Sequence, residues 1–241
     1  MTDQNTASVK DTKTDLEELR ELFQSESEKN QLQLVSKFVA FGDPGLAILR
    51  EFLQQHQSSP PNLVVGKAYQ LLYQANSPTT EEFLQTKFPQ GVVPLVSERN
   101  IDYLPIQKSL AKGDYQKADR LTLAKLCELA GEAAIARKWL YFTEVESFPV
   151  SDLQTIDRLW FIYSEGKFGF SVQRDLWLAV GKDFAKLWPK IGWKSGNKWT
   201  TYPREFTWDL SAPKGHLPLS NQLRGVRVFA SLLTHPAWSL D

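Results

Sequence analysis

Apolar residues recur at helical spacing along most of the chain. Leu16, Leu19, Leu22 and Phe23 form one such set, and Leu32, Leu34, Phe38 and Val39 form a second. Phe41-Gly42-Asp43-Pro44-Gly45 interrupts the pattern, and Leu46, Ile48, Leu49, Phe52 and Leu53 begin another amphipathic stretch. A helix, a turn and a helix are therefore predicted. Ser58-Ser59-Pro60-Pro61-Asn62 closes that hairpin, residues 63–73 give a further helix, and Thr79-Thr80-Glu81-Glu82 reads as a capping box. Pro and Gly then cluster in Phe88-Pro89-Gln90-Gly91-Val92-Val93-Pro94, where a domain boundary is expected.

Beyond it, residues 104–111 and 115–129 read as two helices joined by Lys112-Gly113-Asp114, with Gly131 as the C-terminal stop. Ser151-Asp152-Leu153-Gln154 has the capping-box spacing, and Ile156, Leu159, Trp160 and Tyr163 make one face behind it. Short helices follow at 172–178 and 184–187, ended by Gly181 and Pro189. Residues 192–218 show no periodicity. Glycines, prolines and lysines alternate there with Trp193, Trp199, Tyr202, Phe206 and Trp208. A passive connection rarely exceeds about a dozen residues, so this aromatic loop is a functional candidate. A closing helix is expected over 219–233, with Asn221, Arg224 and Arg227 roughly along one side. No run alternates as a strand would. The expected fold is all-α: an N-terminal helical bundle with a HEAT-like hairpin (residues 1–90) and a helical core domain with a long aromatic loop (91–241). One hairpin unit is visible, so a repeat array is not expected.

Charge and composition sharpen the division. Up to Gln90 the chain holds 8 basic and 12 acidic side chains, and beyond it 20 and 16, so a neutral total hides two halves of opposite sign. All eight tryptophans lie in the second half. Zero net charge gives no field for gripping nucleic acid, which is not an expected partner. Cys127 is the only cysteine, so no intrachain disulfide can form. The first residues lack a basic or apolar leader, and no stretch approaches the roughly 18 apolar residues that span a bilayer. A cytoplasmic location is expected, with peripheral association at a membrane left open.

Enzyme motifs are missing: there is no G-x-G-x-x-G, Walker A, G-x-S-x-G or H-E-x-x-H. His56, His216 and His235 make no ligand set, and Cys127 on a leucine-rich helix reads as a buried, inert thiol. No catalytic residue and no resident metal or cofactor is expected. The positive signal is aromatic density mixed with cations. Trp160 and Trp177 read as packing, whereas the loop rings must be covered by either the helices or a ligand. A flat, apolar molecule with acid groups at one edge would suit the rings, and Arg224 and Arg227 would suit its carboxylates.

Several motifs carry a resemblance. Ile101-Asp102-Tyr103-Leu104-Pro105, Leu126-Cys127-Glu128-Leu129-Ala130-Gly131 and Trp139-Leu140-Tyr141-Phe142-Thr143-Glu144-Val145-Glu146 come first. Phe168-Gly169-Phe170-Ser171-Val172-Gln173-Arg174 and Leu187-Trp188-Pro189-Lys190-Ile191-Gly192-Trp193-Lys194 follow. Phe206-Thr207-Trp208-Asp209-Leu210-Ser211-Ala212-Pro213 and Gly215-His216-Leu217-Pro218 lead into Asn221-Gln222-Leu223-Arg224-Gly225-Val226-Arg227. Over residues 98–238 the chain closely resembles the genomes-uncoupled-four family of tetrapyrrole-binding magnesium chelatase regulators, and its first half resembles the extra domain of cyanobacterial members.

That resemblance implies a cupped apolar pocket that binds protoporphyrin IX and Mg-protoporphyrin IX. It implies a non-catalytic activator that acts through the large porphyrin-binding subunit of magnesium chelatase in chlorophyll biosynthesis, cytoplasmic or peripheral at thylakoid membranes. The pocket residues it implies are Phe142, Ile191, Trp199, Tyr202, Asn221, Arg224 and Arg227. Some relatives have tryptophan where this chain has Tyr202, a ring of smaller area. The amide oxygen of Asn221 is a hard donor suited to an axial position on Mg²⁺; a surface or capping amide is the other reading. The alternative function is a helical protein–protein interaction module without a small-molecule ligand.

Overall fold

The computed structural model describes residues 3–219 and 226–239, with side chains from residue 13 onward. The chain divides into two compact units, Met1–Val92 and Val93–Asp241.

The first unit contains α1 (Asp3–Ser25), α2 (Glu28–Leu34), a 3₁₀ helix (Val35–Phe41), α3 (Asp43–Gln55), α4 (Leu63–Gln74) and α5 (Pro78–Lys87). Its centre is a ring cluster: Phe23 meets Phe38 and Phe52 edge-on at centroid distances of 5.3 and 5.2 Å. Gly45 lets α3 lie against the 3₁₀ helix, since a Cβ there would stand 1.9 Å from the Phe38 carbonyl oxygen. Asn62 caps α4 by accepting the Val65 N–H at 2.9 Å. The capping box expected at Thr79 does not form. Helix α5 starts at Pro78 after Ser77, without a side-chain cap, and the Thr80 hydroxyl accepts from Arg50 at 3.0 Å instead.

The second unit contains α6 (Leu104–Lys112), α7 (Tyr115–Ala130), α8 (Glu132–Arg137), α9 (Phe142–Val145), α10 (Val150–Tyr163), α11 (Phe170–Ala179), α12 (Phe184–Lys190) and α13 (Arg227–Thr234). Between α12 and α13 the loop forms a small antiparallel ribbon, β1 (Lys194–Ser195) with β2 (Lys198–Trp199), in which Lys194 faces Trp199. Its two-residue turn uses Gly196 at φ +56°, as tight hairpins require. The fold is thus mostly helical, with this ribbon as the departure from purely helical structure among the described residues.

Three further expectations need correction. Ser151 and Asp152 do not cap α10, which begins at Val150 after Pro149. Their side chains hold the segment before α6: Ser151 Oγ donates to Glu98, and the Asp152 carboxylate accepts from Ser97, the Glu98 N–H and the Tyr103 hydroxyl. Pro189 does not end α12 but lies inside it, in the last turn. Leu219 is not helical, and the described part of the closing helix starts at Arg227. The rest of that expected helix, with Asn221 and Arg224, lies outside the described residues.

Candidate functional site

The rings of the second unit sort into a buried column and an outer set. Trp177, Phe184, Trp188 and Trp193 stack in sequence, with centroids 5.3, 5.2 and 5.5 Å apart and interplanar angles of 25°, 15° and 6°. Phe229 of α13 closes against Phe184, Trp188 and Trp193. Trp193 is fully enclosed and donates its indole N–H to the His216 carbonyl at 2.8 Å. These are packing residues, so of the loop rings that the sequence left open Trp193 is covered by the protein itself, as is Phe206 at 5% exposure.

Trp199 is different. The ribbon turns it out at the end of the column, 5.6 Å from Trp188, and leaves it 45% exposed, with the Lys194 ammonium 5.4 Å from its ring. Tyr202, 42% exposed, packs on Phe206 and edge-on against Trp208. Glu205 ties these two exposed rings together. It accepts from Lys198 of β2 at 2.6 Å and from the Thr201 N–H at 2.8 Å, and these hydrogen bonds lower its carboxyl to about 2. Two large rings left exposed three residues apart in the chain make this loop a candidate binding surface.

Phe142 opens α9, a four-residue helix too short to hold itself. Glu144 does the holding, accepting the Tyr141 N–H at 2.7 Å and the Arg137 guanidinium at 2.6 and 2.7 Å. Arg137 in turn lies over the Trp139 and Tyr141 rings. The Arg227 guanidinium, at the start of α13, lies 5.5 Å over the half-buried Phe142 ring. Of the expected pocket residues, the structure therefore pairs Phe142 with Arg227 and leaves Trp199 and Tyr202 exposed. Ile191 is fully enclosed at the end of α12. A Cβ on Gly215 would meet it at 3.1 Å, so glycine is needed for the loop to approach.

The family models match nearly the whole chain: GUN4-like over residues 96–236, and ARM-like repeat domain, GUN4-N terminal, over residues 7–89. A Ycf53-like protein of Synechocystis sp. is 54% identical over 225 residues, 93% of this chain and 97% of that protein. The chain belongs to the GUN4 family. The Chlamydomonas reinhardtii GUN4 structure matches with a TM-score of 0.58 and 39% identity, over 61% of this chain and 95% of that one. The Tetrapyrrole-binding protein, chloroplastic, of Arabidopsis thaliana is 38% identical over 143 residues, 56% of this chain and 54% of that protein. Where the sequence shows one hairpin and no repeat array is expected, the family model of the N-terminal half is that of an ARM-like repeat domain.

Under the aromatic loop lies a polar layer that sequence reasoning missed. His216, 2% exposed, presents Nδ1 to the Ile191 carbonyl at 2.6 Å and Nε2 to the Thr207 N–H at 3.2 Å. These partners assign a neutral ring with the proton on Nδ1, and burial lowers its pKa. The fully buried Gln173 amide donates to the Gly215 and Pro218 carbonyls, each at 2.9 Å. Asp119, also buried, accepts the Leu219 N–H. One signal was available. On α7 Asp119 shares the buried face with Tyr115, Thr122 and Leu126, and a carboxylate on an apolar face needs a partner.

Cys127 is buried, and burial raises its thiol to about 11, so it is no nucleophile. Among the described residues no group of three or more His, Cys, Asp or Glu side chains could hold a metal ion, and no helix is long and apolar enough to cross a membrane.

Proposed function

We propose that this protein binds protoporphyrin IX and Mg-protoporphyrin IX and stimulates magnesium chelatase without catalysing a step itself, acting through the chelatase's large porphyrin-binding subunit. The observation that carries the reading is the exposed pair Trp199 and Tyr202, in the same unit as an arginine held over Phe142, in a chain of the GUN4 family. The printed name of the Arabidopsis relative supports the ligand class. A macrocycle has two broad apolar faces for the rings and ionised propionates at one edge for Arg227. Burying its faces contributes roughly 25 cal/mol per Å², offset by association entropy and loop ordering, so sub-micromolar to micromolar affinity is expected. Activation then comes from delivering pigment or from a conformational effect on the chelatase. The proposed location is cytoplasmic, peripheral at thylakoid membranes.

The test is a titration with free and magnesium-bearing protoporphyrin IX, read by tryptophan fluorescence. All eight tryptophans lie beyond residue 90, so strong quenching is expected. No quenching at micromolar pigment favours the protein-interaction module. A chelatase assay with and without the protein tests the stimulation.

A further inference from the structure

The ribbon inside the aromatic loop carries two lysines, and its register gives them different faces. Opposed residues of an antiparallel pair point to one side, and successive residues point to opposite sides. Lys194 of β1 faces Trp199 of β2, so these two side chains share one face, and Ser195 and Lys198 share the other. On that second face Lys198 donates to Glu205 at 2.6 Å, and the ion pair offsets its charge. On the first face the Lys194 ammonium lies 5.4 Å from the Trp199 ring and has no carboxylate partner among the described residues. Lys194 is half-buried and Trp199 is exposed, so this face presents an open ring beside an uncompensated positive charge.

Arg227 repeats the arrangement. Its guanidinium lies over Phe142 and likewise meets no carboxylate among the described residues. Other cations on rings differ. Arg137, over Trp139 and Tyr141, is tied to Glu144, and Lys182 lies over Trp177, which is buried in the column and offers no open surface. Packed rings connect the two uncompensated cations. Trp199 meets Trp188 at 5.6 Å, Trp188 meets Phe229 at 5.5 Å, and Phe229 lies on α13, the helix that Arg227 opens.

We propose that Lys194 is a further carboxylate-recognising residue of the pigment site, taking one propionate of a macrocycle laid against Trp199 while Arg227 takes the other. The inference rests on the pigment reading above. A cation against an exposed ring is weakly held. A charge-assisted hydrogen bond to a carboxylate is stronger, the more so where a ligand has excluded water. The lysine stem is flexible, so the ammonium moves from the ring to the propionate as the pigment arrives. The ring surface that it leaves is then covered by the macrocycle. Lys198, on the opposite face and neutralised by Glu205, makes no such contact.

The experiment titrates the full-length protein by tryptophan quenching with protoporphyrin IX and with its dimethyl ester, which keeps the macrocycle and removes both charges. The variants are Lys194→Met, Lys194→Arg and Lys198→Met, with folding checked by circular dichroism. Lys194→Met keeps an apolar side chain against Trp199 and should bind the diacid about five- to twentyfold more weakly, since one charge-assisted bond is lost. Its affinity for the ester should stay within about twofold of wild type, and Lys194→Arg should recover most of the loss. Lys198→Met should change affinity for the two ligands by the same factor. Added salt gives a second reading: diacid affinity should fall less steeply in Lys194→Met than in wild type between about 50 and 500 mM sodium chloride. No loss on the diacid, or equal losses on diacid and ester in Lys194→Met, overturns the proposal while leaving pigment binding intact, and so does the same discrimination in Lys198→Met. No binding of either ligand by wild type overturns the pigment reading and the proposal together.

Discussion

The interior of residues 1–92 is held by rings and aliphatic chains, with Gln70 and Thr80 its buried polar side chains among the described residues. The interior of residues 93–241 buries Gln107, Asp119, Asp152, Gln173, His216 and His235 as well. The difference follows from backbone. In the first unit helices satisfy most of their own N–H and C=O groups. In the second, a 27-residue irregular loop (192–218) packs down on the helices, and its backbone groups need side-chain partners. Trp193, Gln173 and His216 supply them, and Asp119 does the same for Leu219 just beyond the loop. A scaffold can be greasy throughout, whereas a shaped site built on loop needs a wired interior.

The largest effect expected from this contrast comes from the two ring centres. Phe38→Ala in the first unit and Phe229→Ala in the second each remove a fully buried ring, at about 3–5 kcal/mol. Denaturant unfolding should show similar losses. Pigment titration below the unfolding range should separate them, weakening for Phe229→Ala and holding for Phe38→Ala. Equal weakening in both would mean the first unit takes part in the site.

Next comes Arg227→Ala. The side chain is exposed and lies over Phe142, so removing it should change stability by less than about 1 kcal/mol. A charge-assisted bond to a propionate contributes about 1.5–3 kcal/mol, so affinity should fall roughly ten- to hundredfold. Arg227→Ala binding as tightly as wild type would remove this arginine from the carboxylate-recognising set. Deleting residues 1–92 should do less, changing pigment affinity by no more than about twofold if the units are independent. A larger change in a fragment that keeps its helicity would break the contrast between scaffold and site.

Much of this was legible in the sequence because helices write themselves locally. The expected helices at 63–73, 104–111 and 115–129 match α4, α6 and α7 within a residue at each end. Failures came where distant partners claimed a local signal. Ser151 and Asp152 have capping-box spacing but serve residues 97–103, because the segment before α6 has buried backbone to satisfy. Helices α8 and α9 are too short for a periodic pattern, and α9 depends on a carboxylate bridge from Glu144 to Arg137. At the site, Phe142 came from the resemblance alone, whereas Trp199, Tyr202 and Arg227 were already singled out by the aromatic loop and the spacing of the cations, and the structure supplies their surroundings. The Trp188–Trp193 stack and the Asp119–Leu219 bond were invisible, because nothing at either sequence position names the other.

The smallest predicted effect is a pH slope, and it tests whether the loop's wiring is as assigned. His216 is neutral, and its lowered pKa means that below 6.5 the unfolded chain takes up a proton the folded one resists. Its contribution is therefore fully present above about pH 6.5 and is lost as pH falls from there through the lowered folded value. A protonated Nε2 would face the Thr207 N–H donor-to-donor, which is the local cost. His235 acts in the same direction. Asp119 and Asp157, raised by burial to about 7 and about 6, act oppositely, losing stability as pH rises from the ordinary carboxylate value towards theirs. The bare melting curve of the protein mixes these slopes, so the comparison must be between wild type and His216→Gln. Glutamine can donate to Ile191 and accept from Thr207 but cannot titrate. Melting temperature should drop more steeply between pH 6.5 and 5 in wild type than in the variant, with the two converging towards pH 5. Parallel curves would mean that His216 is not the neutral clamp that joins α12 to the loop.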